Sequence, residues 1–144
     1  MANALYAKAK EKFFNPGTLG TTQGTSIDLI DDNLKAVLVD AADYTVSLTT
    51  HEFLSDIPVG GRVSTSGNLA NKTVTAGVFD ADDVTFAVVT GDQCEAVVIY
   101  KDTGTASTSP LIAYIDTATG LPVTPSGGDI TVQWDSGVNK IVAL

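Results

Sequence analysis

The chain contains three successive segments rich in β-branched and aromatic residues, Asp83-Val-Thr-Phe-Ala-Val-Val89, Gln93-Cys-Glu-Ala-Val-Val-Ile-Tyr-Lys101 and Pro110-Leu-Ile-Ala-Tyr-Ile-Asp116, and the first two can be divided into alternating faces. In the first segment, the alternation predicts that Val84, Phe86 and Val88 lie on one side. A period of two with β-branched and aromatic residues is typical of strands that have at least one buried face. The connections are rich in Gly, Asp and Thr, which favours antiparallel hairpins.

The rest of the body shows similar strand signals, separated by turn residues. Two prolines within the segment from 117 to 128 argue against a central strand there. Together these signals predict an all-β fold, an antiparallel β-sandwich of about seven to nine short strands, with jelly-roll connectivity left open. The further predicted strands are Leu34–Asp40, Val59–Gly67, Asn68–Val74, Ile130–Trp134 and Lys140–Leu144, with a single helical turn over Thr50–Pro58.

The N-terminal residues differ from this body, and residues 2–14 are predicted to form a helix. Leu5, Tyr6, Ala9 and Phe13 recur at the three- and four-residue spacing of an amphipathic helix. Asn15-Pro16-Gly17 would end it, and Thr18–Ser26 has the composition of an extended arm. The expected organisation is therefore a helix and arm over 1–26, followed by a β-sandwich domain over 27–144. A helix this short needs a partner, either the β core or another subunit.

Composition narrows the possible classes of protein. A chain of 144 residues fits one domain, and its apolar runs are too short to span a membrane. The N-terminus lacks the features of a signal peptide, which predicts synthesis in the cytoplasm. The net charge is −9, and beyond Phe13 there are 16 acidic residues against five basic ones. Such a body would repel a phosphate backbone, so no nucleic-acid partner is expected.

Nothing in the sequence forms a catalytic constellation. His51 has no second histidine or Cys/His spacing for a metal, and no serine lies in a nucleophile motif. Cys94 lies in a strand pattern and is predicted to be a small buried residue. We therefore expect no enzyme activity and no catalytic, metal or cofactor-binding residue. Whether Asp80, Asp82 and Asp83 bind a cation stays open, although turn chemistry also explains them.

Much of the sequence resembles a group of small virion structural proteins encoded by tailed phages and prophages. The likeness covers most of the chain, and the segment from 15 to 31 is where members are expected to differ. The stretches that show it are Ala2-Asn-Ala-Leu-Tyr6, Leu34-Lys-Ala-Val-Leu-Val-Asp40, Glu52-Phe-Leu-Ser-Asp-Ile-Pro58 with Gly61-Arg-Val63, Gly77-Val-Phe-Asp-Ala-Asp-Asp-Val-Thr-Phe86, Glu95-Ala-Val-Val-Ile-Tyr-Lys-Asp-Thr-Gly104, Leu111-Ile-Ala-Tyr-Ile-Asp-Thr-Ala-Thr-Gly-Leu-Pro-Val123 and Gly127-Gly-Asp-Ile-Thr-Val132.

The resemblance implies a capsid cement, or decoration, protein with a β-sandwich body. Such a protein would lie on the outer surface of the virion, bind the major capsid protein shell and stabilise it. The implied partners are the major capsid protein and further copies of the chain, as a dimer or trimer, with no membrane or cofactor. The N-terminal segment is the hypothesised inter-subunit contact, through Leu5, Tyr6, Lys8, Lys12, Phe13 and Phe14.

Two alternatives remain at the level of sequence. A tail or head–tail junction component would form closed rings rather than coat a shell. A host-surface binding module would present an exposed aromatic platform for a sugar or receptor. Trp134, Tyr100, Tyr114 and Tyr44 could form such a platform, but aromatic residues in a β body more often belong to the core or its rim.

Overall fold

The computed structural model describes residues 3–14 and 26–144. Within them the chain forms ten β-strands and one α-helix, and every strand pair is antiparallel. The elements are β1 Ala4–Leu5, α1 Ala7–Phe14, β2 Leu34–Val39, β3 Arg62–Thr65, β4 Thr73–Thr75, β5 Val78–Asp80, β6 Val84–Phe86, β7 Ala96–Lys101, β8 Leu111–Ile115, β9 Ile130–Val132 and β10 Val142–Ala143, with short 3-10 turns at Leu54–Asp56, Val59–Gly61 and Ala106–Thr108.

The largest sheet has five strands in the order β1-β8-β7-β2-β3. Its centre is β7, which pairs with β2 on one side and with β8 on the other. Residues 96–100 and 111–115 are all buried, so these two strands are covered on both faces. Burial on both faces explains why the apolar residues of β7 and β8 follow one another almost without interruption.

Two smaller sheets complete the described part of the chain. One has the strand order β10-β5-β4, and the other pairs β6 with β9. The prediction of an all-β fold with antiparallel sheets is confirmed. The closed sandwich and its jelly-roll connectivity stay predictions.

The predicted helix over 2–14 is wrong at its start. Ala4 and Leu5 form β1 and pair with Tyr114 and Ala113 of β8, so α1 begins only at Ala7. The open edge of β8 offers backbone hydrogen bonds to these residues, and this tertiary pairing outweighs a weak local helix preference. The predicted stop at 15–17 and the arm over 18–26 fall almost entirely outside the described residues. The helix itself packs against β8, so its partner is the chain's own β core.

A second correction concerns the strand predicted over Asp83–Val89. Val84 and Phe86 are buried as expected, but β6 ends at Phe86. Val88 has a φ of 49° and an exposed side chain, and Val89 is buried instead. The Val88 N–H donates to Asp129 Oδ1, while Val89 and the 127–128 glycines exchange backbone hydrogen bonds. A left-handed residue shifts the alternation by one position, which the period of two could not predict.

No helix within the described residues is long and apolar enough to cross a membrane.

Candidate protein-interaction surface

The N-terminal segment is held on its own body by main-chain hydrogen bonds. The Tyr6 N–H donates to the carbonyl of Ile112 over 3.0 Å, and the Ala7 N–H donates to that of Leu48 over 2.7 Å. Tyr6 and Ala9 are fully buried, so the apolar stripe of α1 faces the sheet. Residues 3–14, where the sequence predicts the N-terminal helix, are thus part of the folded body.

A buried ion pair fixes the last turn of α1. Lys12 Nζ lies 2.5 Å from Glu52 Oε1 and 5.4 Å from the centre of the Phe53 ring. The lysine side chain has no solvent exposure, whereas Glu52 keeps a small exposed fraction. A buried ammonium group is costly without a partner, and the carboxylate and the aromatic face both offset that cost. The pair therefore fixes where α1 docks.

Hydrogen bonds that link three side chains also hold the N-terminal segment on the body. The hydroxyl groups of Tyr6 and Tyr44 lie 2.9 Å apart, and Tyr44 Oη lies 2.9 Å from His51 Nδ1. The Ser47 N–H also donates to His51 Nδ1, so this nitrogen is an acceptor and the Tyr44 hydroxyl donates to it. His51 thus caps a local turn, since its Nδ1 accepts the backbone N–H of Ser47.

These buried groups are unsuited to acid–base or nucleophilic chemistry. Burial raises the pKa of the Tyr44 phenol to about 12, and burial likewise raises the pKa of Tyr6. Cys94 is fully buried, as predicted, and burial raises the pKa of its thiol to about 11. The thiolate, not the thiol, is the nucleophile, so Cys94 is in its unreactive form at neutral pH.

Two of the three aspartates that the sequence singled out, Asp82 and Asp83, have structural partners. Asp83 Oδ1 accepts the backbone N–H of Trp134, and the Asp82 carbonyl oxygen accepts the indole N–H of Trp134. Asp82 Oδ2 also accepts a hydrogen bond from the Asn71 amide. Asp82 and Asp83 therefore hold the entry to β6 against Trp134, which follows β9.

A different acidic cluster comes together in space. Oxygens of Asp40, Asp43 and Asp92 lie within 4.8 Å of one another. Sequence reasoning missed it because Asp92 is far from the other two along the chain. Asp40 Oδ1 accepts the N–H of Ala42, and the other two carboxylates are exposed, so the cluster by itself assigns no ion.

The four aromatic residues considered as a sugar platform are buried. Tyr44, Tyr100, Tyr114 and Trp134 are each at most 7% exposed. Their interpretation as core residues is confirmed, and the host-surface alternative loses the feature that favoured it.

The surface best suited to binding is an apolar cleft of about 360 Å³ beside the end of α1. We define the apolar cleft by the residues that line it: Leu5, Phe13, Ile27–Ile30, Val74, Gly77, Phe79, Val142 and Leu144. Three of them, Ile30, Val74 and Leu144, are large apolar residues that are themselves exposed. Phe14, the last residue of α1, lies next in the chain to the cleft residue Phe13, does not itself line the cleft and is 79% exposed. Large exposed apolar patches occur at protein–protein and membrane interaction sites and in ligand-binding grooves, so this cleft is the candidate binding surface.

The six residues hypothesised to contact another subunit are placed differently by the fold. Tyr6 and Lys12 are buried by their own chain, and Lys8 pairs with Glu11 on the helix surface. Leu5 and Phe13 are partly buried and line the apolar cleft, while Phe14 is exposed. The surface available to a partner is therefore the Phe14 end of α1 and the cleft beside it.

Comparison of the chain with protein-family models finds no match, and a search of curated proteins finds no relative.

Proposed function

We propose that this protein is a non-enzymatic capsid cement protein of a tailed phage, which binds the outer surface of the major capsid protein shell and stabilises it. The observation that supports a binding role is the apolar cleft with exposed Phe14 beside it. The choice of a phage shell as the partner is supported by the sequence resemblance described above.

The cleft explains how such a protein would stabilise a shell. Fully burying one side chain of the size of Phe or Leu contributes about 1.5–3 kcal/mol. Leu144 in the cleft and Phe14 next to Phe13 are both exposed, and a partner that covers both would remove them from water. Each bound copy adds its binding free energy to the assembled lattice only, because ligands that bind only the folded assembly stabilise it by mass action. Pairing into a dimer or trimer would add avidity.

The acidic body is consistent with this role. A net charge of −9 keeps a protein soluble and discourages self-association through the charged faces. Binding through an apolar cleft would leave most of this charge in water. The buried tyrosines, His51 and Cys94 have structural surroundings, which favours a structural role over a catalytic one.

Electron microscopy of reconstituted particles tests the proposal. Purified protein is mixed with emptied, expanded capsids of the phage that encodes it, and the particles are imaged and heated. We expect regular density over the outer shell and capsids that withstand a higher temperature. Density at a single vertex or along the tail would overturn the proposal in favour of a junction or tail component. Absence of binding at saturating protein would also overturn it.

Point variants test the contact better than a truncation. Deleting residues 2–26 would remove β1 and the Lys12–Glu52 pair, so lost binding could reflect misfolding. Phe14→Asp changes one exposed side chain and leaves those contacts in place. Val59→Asp is a matched control, because Val59 is 77% exposed and lies outside the apolar cleft.

A further inference from the structure

A second groove lies between the open edges of two sheets. Its volume is about 640 Å³, and its walls include β1 with the preceding Asn3 and the segment from Lys140 to Leu144 that contains β10. β1 is the end strand of the five-stranded sheet, and β10 is the end strand of its three-stranded sheet. We call this space the edge groove. A strand at the edge of a sheet presents backbone groups that can pair with another chain.

The hydrogen-bond pattern of β10 shows which of its groups face outwards. The Leu144 N–H donates to the carbonyl of Gly77, on the side of β5. Successive residues of an antiparallel strand direct their N–H and C=O groups to opposite sides, so those of Ala143 point away from β5. Ala143 is exposed and lines the edge groove.

The opposite wall repeats this arrangement. The Tyr6 N–H donates to Ile112 on the side of β8, so by the same alternation the N–H and C=O of Leu5 point away from β8. Leu5 also lines the edge groove. Two strand edges thus face one space, and Phe14 and Leu144 add apolar surface to it.

The charges of the edge groove set it apart from the rest of the chain. Of the eight Lys and Arg residues, four form ion pairs with carboxylates: Lys8, Lys12, Lys35 and Lys101. Arg62 and Lys72 donate to the backbone carbonyls of Ile57 and Asp32. The other two, Lys10 and Lys140, have no ion-pair partner among the described residues, and both line the edge groove. The groove also contains one aspartate, Asp135, whose Oδ1 accepts the N–H of Gly137, so its two lysines outnumber its aspartate. Among the described residues, the edge groove thus brings together the two cations that have neither a carboxylate nor a backbone acceptor as partner.

We propose that the edge groove binds an extended, acidic peptide segment of another protein by strand addition to β10. The main chain of the segment pairs with the outward N–H and C=O of Ala143, and its carboxylates lie against Lys10 and Lys140. Its alternate apolar side chains pack on Leu5 and Phe14. Main-chain hydrogen bonds supply affinity in this mode of recognition, and side-chain contacts supply selectivity. The edge groove shares Leu5, Val142 and Leu144 with the apolar cleft, but the inference does not depend on the capsid proposal, because it rests on the strand edges and the two lysines and is tested without capsids.

The test uses fluorescein-labelled peptides of eight residues that alternate Glu with Val. Binding to the full chain is followed by fluorescence anisotropy at low salt, and the contact residues are mapped by amide chemical shifts. We expect the Glu-Val peptide to bind and to shift the amides of Leu5, Lys140 and Ala143. A Lys-Val peptide, and a Glu-Val peptide N-methylated at alternate residues, should bind at least roughly tenfold more weakly.

Variants of the protein separate the charge contribution from the backbone contribution. Lys10→Gln with Lys140→Gln should weaken binding roughly three- to tenfold, since exposed ion pairs contribute little individually. Lys8→Gln with Lys35→Gln makes the same change of charge elsewhere and should leave the affinity within about twofold. Ala143→Pro removes the outward N–H at an edge position that tolerates proline and should weaken binding roughly tenfold.

Several outcomes would overturn the proposal. One is equal binding of the Glu-Val and Lys-Val peptides; another is no binding of the Glu-Val peptide. Amide shifts confined to residues outside the edge groove would also contradict it. Sedimentation of the free protein addresses occupancy by a second copy: dimers that dissociate in the Lys10→Gln, Lys140→Gln variant would show that the groove is filled by the chain itself, against the proposal.

Discussion

The centre of the five-stranded sheet and the periphery of the molecule are stabilised by different interactions. In β7 and β8, side chains on both faces are buried, and each strand has neighbours on two sides. At the periphery, β1 and β10 are two residues long, and β4 is exposed along its whole length. Polar contacts such as Lys12–Glu52 and Tyr6–Tyr44 fix the N-terminal segment there. The centre therefore depends on burial, and the periphery depends on a few specific pairs.

The largest difference between the two regions should appear on truncating a central side chain. Ile99 of β7 is fully buried, and Ile99→Ala should lower the free energy of unfolding by about 3 kcal/mol through lost burial and the cavity left behind. Val74→Ala, on the exposed strand β4, should change it by less than about 0.5 kcal/mol. Urea denaturation of both variants measures this. Equal losses would contradict the distinction between centre and periphery.

The Lys12–Glu52 pair should show the next largest effect. Lys12→Met should lower the free energy of unfolding by about 2 kcal/mol, because it leaves Glu52 largely buried without its cation. Adding Glu52→Gln should recover part of the loss, since no unpaired charge then remains. Lys8→Met is the matched control: its pair with Glu11 is exposed, so a change below about 0.5 kcal/mol is expected. An equal loss of stability in Lys8→Met and Lys12→Met would show that the buried pair contributes no more than the exposed one.

Alkaline pH should weaken the tyrosine contacts beneath α1. The pKa of Tyr44 is about 12 in the folded protein and lies near 10 in the unfolded chain, so unfolding releases a proton between these pH values. The free energy of unfolding should therefore fall as pH rises through that range, by at most about 1.4 kcal/mol per pH unit from this group. Tyr44→Phe should be less stable at pH 8 but show a shallower fall. An unchanged slope would rule out this origin.

The same contrast between the centre and the periphery explains which strands could be predicted from the sequence. β2, β7 and β8 could be predicted because each contains a run of apolar, β-branched residues. Such a run indicates a buried strand whichever strands it pairs with. β1 could not be predicted, because its two residues form a strand only by pairing with the edge of β8. The shift at Val88 depends on its φ of 49° and on Asp129, which is 41 residues away.

The surroundings of the N-terminal apolar residues could not be predicted from the sequence. The apolar residues of the N-terminal helix indicated a docking face, and Phe13 and Phe14 do lie at the apolar cleft or beside it. That Lys12 would be buried could not be predicted, since its partner Glu52 lies 40 positions further along the chain. The edge groove could not be predicted from the sequence either, because it forms only where β1 and β10 come together in the fold.

The most direct test of the functional account compares three proteins in one experiment: wild type, Phe14→Asp and Val59→Asp. Each is co-sedimented with expanded capsids over a range of concentrations, after urea denaturation has shown equal stability. The account predicts saturable binding of the wild type and of Val59→Asp, and binding at least roughly tenfold weaker for Phe14→Asp, because a charge replaces an apolar contact. Equal binding of all three proteins would contradict it.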